Sequence, residues 1–589
     1  MPIPVEYATF GLLMAANLGI GLYFSLVKRA RLASTPDEVF LGGRTLKMLP
    51  LAVSVLASMI SAIGVIGFSA HYYAYGFHYS WSLLASPLLI PVVAGVIIPV
   101  LYRLRVTSVF QYLRMRYGNK VGLAACAIYL FLSQTIGAVA LFSASLAVAT
   151  VFHVPLIWTT MAIGLAGTVY TALGGLRGVV WTDCVQAVLI LMAPVTVIAK
   201  VILDSSHKDV QLRPLSDFNI KEFAFRMNLD FTSDENFWSC FLGLYVHNLF
   251  RAGMDQTVVQ RYLASRTLRD AQRIMVIGIA LNVFYMIVIG FMALALIYWY
   301  RDCDPMLTGA IKKFDQILPY YVKQNLMDLP GFSGLFLTGV VSAATSTISS
   351  IINSQAAVCY VDVVSQYKKL SDSHVTLLTK GLAFVFGFMM TLYAVVVPYL
   401  GSAVRIIMVV HNGASGPFVG MFLLALAFPW TNGKGVVIAT ILTTAVQFWQ
   451  MFGKLAYNVH APRMKVTLDY CPNNFTYVSK QIQNSTLLDG SISRRDIFPL
   501  YQMSSNWSVL ATTAFTVLLG MLISLLTGGA KTWKHNIHLT SHTFLRLWSK
   551  LNLLPCDIEK QSMEEPLDEG AMKRQIALNQ PLLEKDAAV

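Results

Sequence analysis

The chain has 589 residues, of which 56% are hydrophobic and only 13% are charged, and its mean hydropathy is +0.60. A soluble protein of this length needs far more charge to cover its surface, so the composition excludes a soluble globular protein and indicates that lipid is the main solvent. The formal net charge of +14 does not indicate a nucleic-acid partner, because the positive charges follow a membrane topology.

Apolar runs about as long as a membrane-spanning helix follow one another along the chain. We place thirteen of them at 7–27, 50–74, 80–102, 121–149, 155–174, 179–202, 238–258, 274–299, 332–360, 380–400, 403–428, 434–453 and 507–527. The sequence therefore predicts an all-α polytopic membrane protein of about thirteen transmembrane helices. We expect residues 1–528 to form one transmembrane domain, and residues 529–589 to form a disordered cytoplasmic tail.

Basic residues cluster in alternate loops, after the first, third, seventh and ninth runs, at 28–47, 103–120, 261–273 and 368–380. The positive-inside rule then predicts a multi-pass plasma-membrane protein with an extracellular N-terminus and a cytoplasmic C-terminus. No basic region precedes the first run, so we expect it to be a retained helix rather than a cleaved signal.

The hydrophilic stretch 454–506 is a predicted external loop that carries three N-glycosylation sequons, at Asn474, Asn484 and Asn506. Cys303 and Cys471 also lie in predicted external loops, where oxidation is permitted. They are a candidate disulfide, with two free thiols as the alternative.

The second run contains small and hydroxyl residues in the order Ala57-Ser58-Met59-Ile60-Ser61-Ala62-Ile63-Gly64. This composition suits a helix that is broken near its middle, and a break frees carbonyl oxygens that bind a cation such as sodium. Close packing of helices on small residues is the other interpretation of this segment.

The ninth run carries five hydroxyl residues within 345–350, and helical spacing places Ala343, Ser346, Thr347 and Ser350 on one stripe. Such a stripe offers neutral oxygens to an ion. Asp183, near the start of the sixth run, is an ionisable residue at membrane depth and so a functional candidate. The alternative for Asp183 is an ion pair with Arg177 at the membrane edge.

Three segments resemble the sodium/solute symporter family, which includes the sodium–glucose, iodide, multivitamin and monocarboxylate cotransporters. They are Gly174-Gly175-Leu176 with Thr182-Asp183 and Gln186, Asp255-Gln256 with 259–263, and Ser346-Thr347 through Asn353 and Asp362. The resemblance covers about residues 8–528. It implies the leucine-transporter fold, in which spans two to six and seven to eleven form inverted repeats around a midplane site.

The resemblance also implies a set of sodium ligands. The main site would use the carbonyls of Ala57, Ile60 and Ala343 and the hydroxyls of Ser346 and Thr347. A second sodium would use Asp183, Ser349 and Ser350. Sodium is expected as a co-transported ion in either case.

The segment 415–422 resembles the iodide, multivitamin and monocarboxylate branch, and the third run lacks the acidic or amide residues of the sugar branch. Gly64, Arg251 and Arg405 are the candidate solute contacts, because a guanidinium fits a carboxylate. Alternatively, Arg251 pairs with Asp255, one helical turn later, and the side chain of Arg405 extends to the outer membrane–water interface. His247 and His411 are expected to be buried, satisfied histidines, with proton coupling as the alternative.

These observations favour sodium-coupled symport of a small organic solute, a monocarboxylate or a vitamin-like organic anion, by alternating access. A neutral solute such as a polyol, a choline-like compound or an amino acid is one alternative. A sodium-binding sensor or channel of the same fold is another. The sequence has no nucleophile–base set that would indicate an enzyme. The expected partners are the solute, sodium, the bilayer and, at 587–589, a scaffold protein that reads free carboxylates.

Overall fold

The computed structural model describes residues 3–26, 40–206, 212–368, 370–399, 403–457, 463–471, 497–529 and 533–554. Within these ranges the chain is helical, and Leu46 and Ser265 form an isolated β-bridge rather than a strand. Asn474, Asn484 and the C-terminal residues 587–589 lie outside the described residues.

The helices follow the predicted runs in order. The first half contains α1 (Ile3–Leu26), α2 (Met48–Met59), α3 (Ile63–Tyr75), α4 (His78–Arg103), α5 (Val109–Tyr117), α6 (Asn119–Phe152) and α7 (Leu156–Ser205). The second half contains α8 (Ser239–Gly243 continued by Leu244–Gly253), α9 (Gln256–Leu263), α10 (Leu268–Tyr300), α11 (Ile317–Asn325), α12 (Phe332–Tyr367), α13 (Ser373–Tyr399), α14 (Ala403–Ala427), α15 (Gly433–Ala456), α16 (Ser505–Leu526) and α17 (His542–Lys550).

Short helices complete the described chain at Gly42–Arg44, Leu215–Asp217, Ile220–Ala224, Phe314–Gln316, Leu326–Asp328, Pro499–Gln502, Trp533–Asn536 and Ile537–Leu539. Among the residues described, eight helices are long and apolar enough to cross a membrane, and the bent pair α2 and α3 makes a ninth. Each of the thirteen predicted runs overlaps one of the helices.

Helix α7 accounts for two predicted runs, because its 50 residues would extend about 75 Å and a bilayer core is only about 30 Å thick. Gly175 interrupts it with φ of +61°, a conformation that only glycine adopts without strain. The chain therefore turns at the Gly174-Gly175 pair and crosses back.

Helix α12 occupies the centre of the fold. In its most apolar stretch 94% of the residues are buried, compared with 33% in α10, α13 and α16. Helices α6 and α7 pack on α12, while α2 packs between α7 and α10. The short helix α9 contacts both α2 and α12. These contacts direct the hydroxyl stripe of α12 toward the broken second span.

The structure contains the candidate disulfide between Cys303 and Cys471. The same region is held by polar contacts, since Asp304 accepts a hydrogen bond from Tyr73 at 2.6 Å and pairs with Arg463. The segment 463–471 is thereby fixed to the end of α3.

Asn506 corrects one prediction. Its side chain is only 3% exposed at the start of α16, and its Nδ2 donates to Ser239 Oγ at 3.1 Å. Because a glycan would have to occupy that nitrogen, the prediction of glycosylation at Asn506 is wrong for the folded protein. A sequon is a local pattern and carries no information on burial.

The expectation of a disordered tail from residue 529 is also wrong for residues 533–554. Helix α17 docks on the membrane domain, where Trp548 Nε1 donates to the Ala427 carbonyl at 2.6 Å. Just before α17, the carbonyl of Leu539 accepts from Tyr112 at 3.0 Å, and that of His538 accepts from Arg103 at 2.6 Å. Residues 555–589 lie outside the described residues.

Candidate ion and solute site

The second span is broken between α2 and α3, which meet at an angle of 57°. Ile60 has an extended conformation (φ −92°, ψ +131°), so the α-helical hydrogen bonding stops there and the last carbonyls of α2 lack intrahelical partners. Ser61 starts the next segment, because its Oγ accepts from the Ile63 amide at 3.2 Å and its carbonyl accepts from Gly64 at 2.8 Å. The break is therefore built by local hydrogen bonds.

The oxygens predicted for the main sodium site come together at this break. Ser346 Oγ lies 3.0 Å from the Ala57 carbonyl oxygen. Thr347 Oγ1 lies 3.3 Å from the Ile60 carbonyl oxygen and 2.9 Å from that of Ala343. All five residues are buried. The result is a cluster of three carbonyl and two hydroxyl oxygens, none of which carries a formal charge.

Asp183 lies directly beside this cluster and is fully buried. Its Oδ1 accepts from Ser346 Oγ at 2.7 Å, and its Oδ2 accepts from Ser54 Oγ at 2.5 Å. Ser346 is thus shared between the neutral cluster and a carboxylate. The charge partner of Asp183 is Arg261, whose Nη2 lies 3.2 Å from Oδ2.

The alternative interpretation of Asp183, an ion pair with Arg177, is wrong. Arg177 Nη2 donates to the Gly42 carbonyl at 2.9 Å and to Thr45 Oγ1 at 3.1 Å. Arg177 therefore binds the loop before α2, and the ion pair of Asp183 is with Arg261 instead.

Arg261 was missed as a site residue, although it is the largest fully buried polar side chain of α9. Its Nε donates to Ser54 Oγ at 2.9 Å and its Nη2 donates to Ser350 Oγ at 2.6 Å, while Nη1 binds the Thr257 carbonyl. In the sequence, Arg261 stood out only as part of a segment that resembles the sodium/solute symporter family. An arginine on the packed face of an amphipathic helix was the signal that it reaches inward.

The residues predicted for a second sodium are close in space but do not form one ligand shell. Ser350 Oγ contacts Arg261 and lies 3.1 Å from Ser58 Oγ. Ser349 Oγ donates to the Ser346 carbonyl at 3.0 Å. The guanidinium of Arg261 contacts both Asp183 and Ser350, and its positive charge repels a cation placed there.

Arg251 already has two partners within the protein. Its Nη1 pairs with Asp255 Oδ2, four residues later, and its Nη2 donates to the Ser58 carbonyl at 3.2 Å. The alternative interpretation of Arg251 is therefore confirmed, and its charge is balanced without a solute. Arg405 lies in α14, and its side chain is outside the described residues. Gly64 is buried at the break, where an added Cβ would meet Ile60 Cγ2 at an ordinary 3.7 Å.

His247 of α8 and His411 of α14 face each other, with ring centroids 4.8 Å apart. His411 is 1% exposed. Among the described residues, neither ring nitrogen of His411 has a hydrogen-bond partner, and neither does Nδ1 of His247. The expectation of satisfied histidines is thus wrong, and no pattern in the sequence indicated that the two rings would meet.

Residues 39–443 match the family model of the Sodium:solute symporter family. The chain is 30% identical over 541 residues to Sodium-coupled monocarboxylate transporter 2 of Mus musculus, covering 89% of this chain and 84% of that protein. It is 31% identical over 537 residues to the protein of the same name from Danio rerio, with the same coverage. It is also 30% identical over 550 residues to the Sodium/iodide cotransporter of Homo sapiens, covering 89% and 84%.

Among solved structures, a Na+-coupled sialic acid symporter in a substrate-bound outward-open state, with a novel Na+-site, superposes with a TM-score of 0.70. The identity is 21%, and the match covers 89% of this chain and 98% of that chain. This likeness shows the fold and confirms the predicted fold class.

The Asp183–Arg261 pair gives a stability prediction. Asp183→Asn leaves the guanidinium buried without a countercharge, which is expected to cost about 3–5 kcal/mol. The double variant Asp183→Asn with Arg261→Gln removes both charges and should recover part of that loss. The measurement is the Tm of the detergent-solubilised protein, followed by fluorescence-detected size-exclusion chromatography.

Asp217→Asn is the matched control. Asp217 also forms an ion pair with an arginine, Arg213, but about half of each side chain is exposed. Such pairs contribute only about 0–1 kcal/mol, so the Tm should scarcely move. A double variant no more stable than Asp183→Asn would contradict the assignment of a buried ion pair.

Proposed function

The chain belongs to the sodium:solute symporter family, and from this premise we propose that it couples sodium entry to the uptake of a monocarboxylate or a vitamin-like organic anion. The observation that carries the coupling is the set of neutral oxygens at the break of the second span, where the carbonyls of Ala57 and Ile60 meet Ser346 and Thr347. The names of the relatives support a monocarboxylate as the solute.

The oxygen cluster suits a sodium ion by its dimensions. A cation of this size takes oxygen ligands at about 2.3–2.6 Å, which places neighbouring ligands roughly 3–4 Å apart. The Ser346 and Thr347 contacts of 2.9–3.3 Å need only a small expansion to admit it. Both hydroxyls would turn their hydrogens away, so that lone pairs of all five oxygens face the ion.

Sodium at this position would join the end of α2 to α12, and so bias the conformations of the broken helix. An ion can shift an equilibrium only by its different affinity for the two states. Because the ligands come from two separate helices, any movement of α2 relative to α12 dismantles the site. This dependence is the basis of coupling in the proposed mechanism.

Arg261 would close the cytoplasmic exit in the present conformation. The basic loops place α9 on the cytoplasmic side, and its guanidinium inserts between Asp183, Ser54 and Ser350. Opening toward the cytoplasm would withdraw Arg261. A second sodium on Asp183, Ser349 and Ser350 would bind only after that withdrawal, when the carboxylate lacks its partner.

We place the protein in the plasma membrane with an extracellular N-terminus and a cytoplasmic C-terminus. The alternate basic loops support this orientation. It also assigns the Cys303–Cys471 bridge to the oxidising side, where disulfides persist.

Uptake of labelled propanoate and 2-hydroxypropanoate, in cells that express the chain, tests the proposed function directly. Replacement of external sodium by choline is expected to reduce uptake to the level of untransfected cells. A labelled polyol serves as the neutral solute in the same assay. Equal uptake with and without sodium would defeat the coupling, and sodium-dependent uptake of the polyol alone would defeat the anionic solute.

The ligand assignment predicts a selective loss of sodium affinity in Ser346→Ala and Thr347→Ala. Removing groups that only orient metal ligands lowers affinity roughly tenfold or more, so losing a ligand should raise the half-saturating sodium concentration at least about tenfold. Sodium titrations of solute uptake, normalised to surface protein, measure this change.

Ser342→Ala is the matched control, because it removes a buried hydroxyl from α12 one turn before Ser346. Among the described residues that hydroxyl has no hydrogen-bond partner. Its half-saturating sodium should stay within twofold of the unsubstituted chain. A shift in Ser342→Ala as large as in Ser346→Ala would argue for a general packing effect.

Arg405 remains our candidate for binding the carboxylate, because Arg251 has protein partners. Arg405→Gln is expected to raise the KM for a monocarboxylate about tenfold or more, as a hydrogen bond to a charged group is lost. Arg251→Gln should instead reduce the amount of folded protein at the surface, since it leaves Asp255 unpaired. Concentration-dependent uptake with surface biotinylation separates the two effects, and an unchanged KM in Arg405→Gln would remove Arg405 from the site.

A further inference from the structure

We propose that His247 and His411 bind the polar end of the transported solute through their ring nitrogens. This inference rests on the proposed function and deepens it by naming the residues that recognise the carboxylate. It concerns side chains other than Gly64, Arg251 and Arg405, which the sequence alone put forward.

The pair lies where three parts of the fold meet. Helix α14 carries His411 and packs against α8, which carries His247. The same helix contacts the segment Ile63–Gly67 of α3, directly after the break. In folds built from inverted repeats, solutes bind near the bilayer midplane beside interrupted helices. The two rings therefore lie at the position expected for a solute.

The ring nitrogens are the unusual feature of this pair. Buried polar groups in proteins are nearly always hydrogen-bonded. His411 is 1% exposed, and among the described residues both of its nitrogens lack a hydrogen-bond partner, as does Nδ1 of His247. These three nitrogens, on rings from two different helices that are turned toward each other, leave hydrogen bonds available for a molecule that is not part of the chain.

Packing holds one ring in place without using its nitrogens. The ring of Phe250 meets that of His411 edge to face at 5.2 Å, and Phe250 in turn packs on Phe418 at 5.5 Å. Apolar contacts fix the plane of His411, so its nitrogens keep their direction. A rigid, unsatisfied polar group is what a binding site requires.

The chemistry of imidazole selects the ligand. A neutral imidazole has one N–H donor and one acceptor nitrogen, and burial disfavours its charged form. Two facing rings thus supply two N–H donors to a carboxylate. The acceptor nitrogen of His411 remains, and a hydroxyl beside the carboxylate satisfies it. A short 2-hydroxy monocarboxylate therefore makes one more hydrogen bond here than the same acid without the hydroxyl.

The charge balance agrees with this assignment. The nearest formal charge on α8, that of Arg251 one turn after His247, is already neutralised by Asp255. Besides Arg405, the candidate for the carboxylate on the same helix as His411, a sodium ion on the Ala57–Ser346 oxygens would supply a cation for an anion at the histidine pair. Solute and sodium would then enter as a neutral pair, which lowers the cost of burying either charge.

Kinetics of four variants test the proposal: His411→Phe and His247→Phe remove the nitrogens, while His411→Gln and His247→Gln keep a donor and an acceptor. We expect the KM for 2-hydroxypropanoate to rise about tenfold or more in the Phe variants and less in the Gln variants. The preference of the unsubstituted chain for 2-hydroxypropanoate over propanoate should disappear in His411→Phe. The half-saturating sodium concentration should change less than twofold.

His374→Gln is the matched control, because His374 is exposed in the first turn of α13 and bonds Ser371, which lies just before that helix. Its KM should equal that of the unsubstituted chain. Unchanged KM and selectivity in both Phe variants, at normal surface expression, would overturn the proposal. So would solute-evoked current at pH 6 that persists without sodium and disappears in His411→Phe, since this would make the pair a proton site.

Failure of the proposed function would be seen in the unsubstituted chain, whereas failure of the histidine assignment would be seen only in the Phe variants. If the solute class or the coupling is wrong, the unsubstituted chain takes up neither acid, or takes up both equally without sodium. If only the histidine assignment is wrong, the unsubstituted chain shows sodium-dependent uptake of the acids and the Phe variants retain its KM.

Discussion

The structure depends on the interruption of one helix inside the bilayer. In hydrocarbon a backbone carbonyl without a partner is unfavourable by several kcal/mol, so a broken span persists only where other groups receive its free ends. Here the extended residue Ile60 ends α2, and hydroxyls of α12 contact the exposed carbonyls. The position of α12 at the centre of the fold follows from this requirement, because the helix that satisfies the break must be surrounded by the others.

The charged residues are organised around the same break. Ser346 contacts the Ala57 carbonyl on one side and Asp183 on the other. A cation among the neutral oxygens would therefore interact electrostatically with the buried Asp183 carboxylate. Arg261 compensates Asp183, and Arg251 binds the Ser58 carbonyl within the broken segment. Two arginines from consecutive helices therefore hold α2, the first half of the broken span, which makes its conformation sensitive to movements of α8 and α9.

Hydropathy predicted the spans, and local composition indicated the break as one of two interpretations, since both depend on neighbouring residues. The five oxygens at the break were implied only by the resemblance to the sodium/solute symporter family. Contacts between distant segments were not predictable in this way. Arg261 and Asp183 are 78 residues apart, and no periodicity links them. His247 and His411 have ordinary surroundings in the sequence and meet only through the packing of α8 on α14. Two predictions were wrong because they used only local sequence. Glycosylation at Asn506 was predicted from a three-residue motif, which carries no information on burial. Disorder was predicted for the whole segment 529–589, because the polar residues after α17 obscured the amphipathic pattern of that helix.

The docking of α17 has a mechanical consequence. Its approach segment is bonded to Arg103 at the end of α4 and to Tyr112 in α5, while its own Trp548 is bonded to the end of α14. Helix α4 belongs to one repeat and α14 to the other, so the C-terminal segment bridges the two. Any rearrangement that separates the ends of α4 and α14 must therefore move residues 538–548 with one of them or break their hydrogen bonds to the other. A molecule bound to the chain beyond residue 554 would act on the same hydrogen bonds.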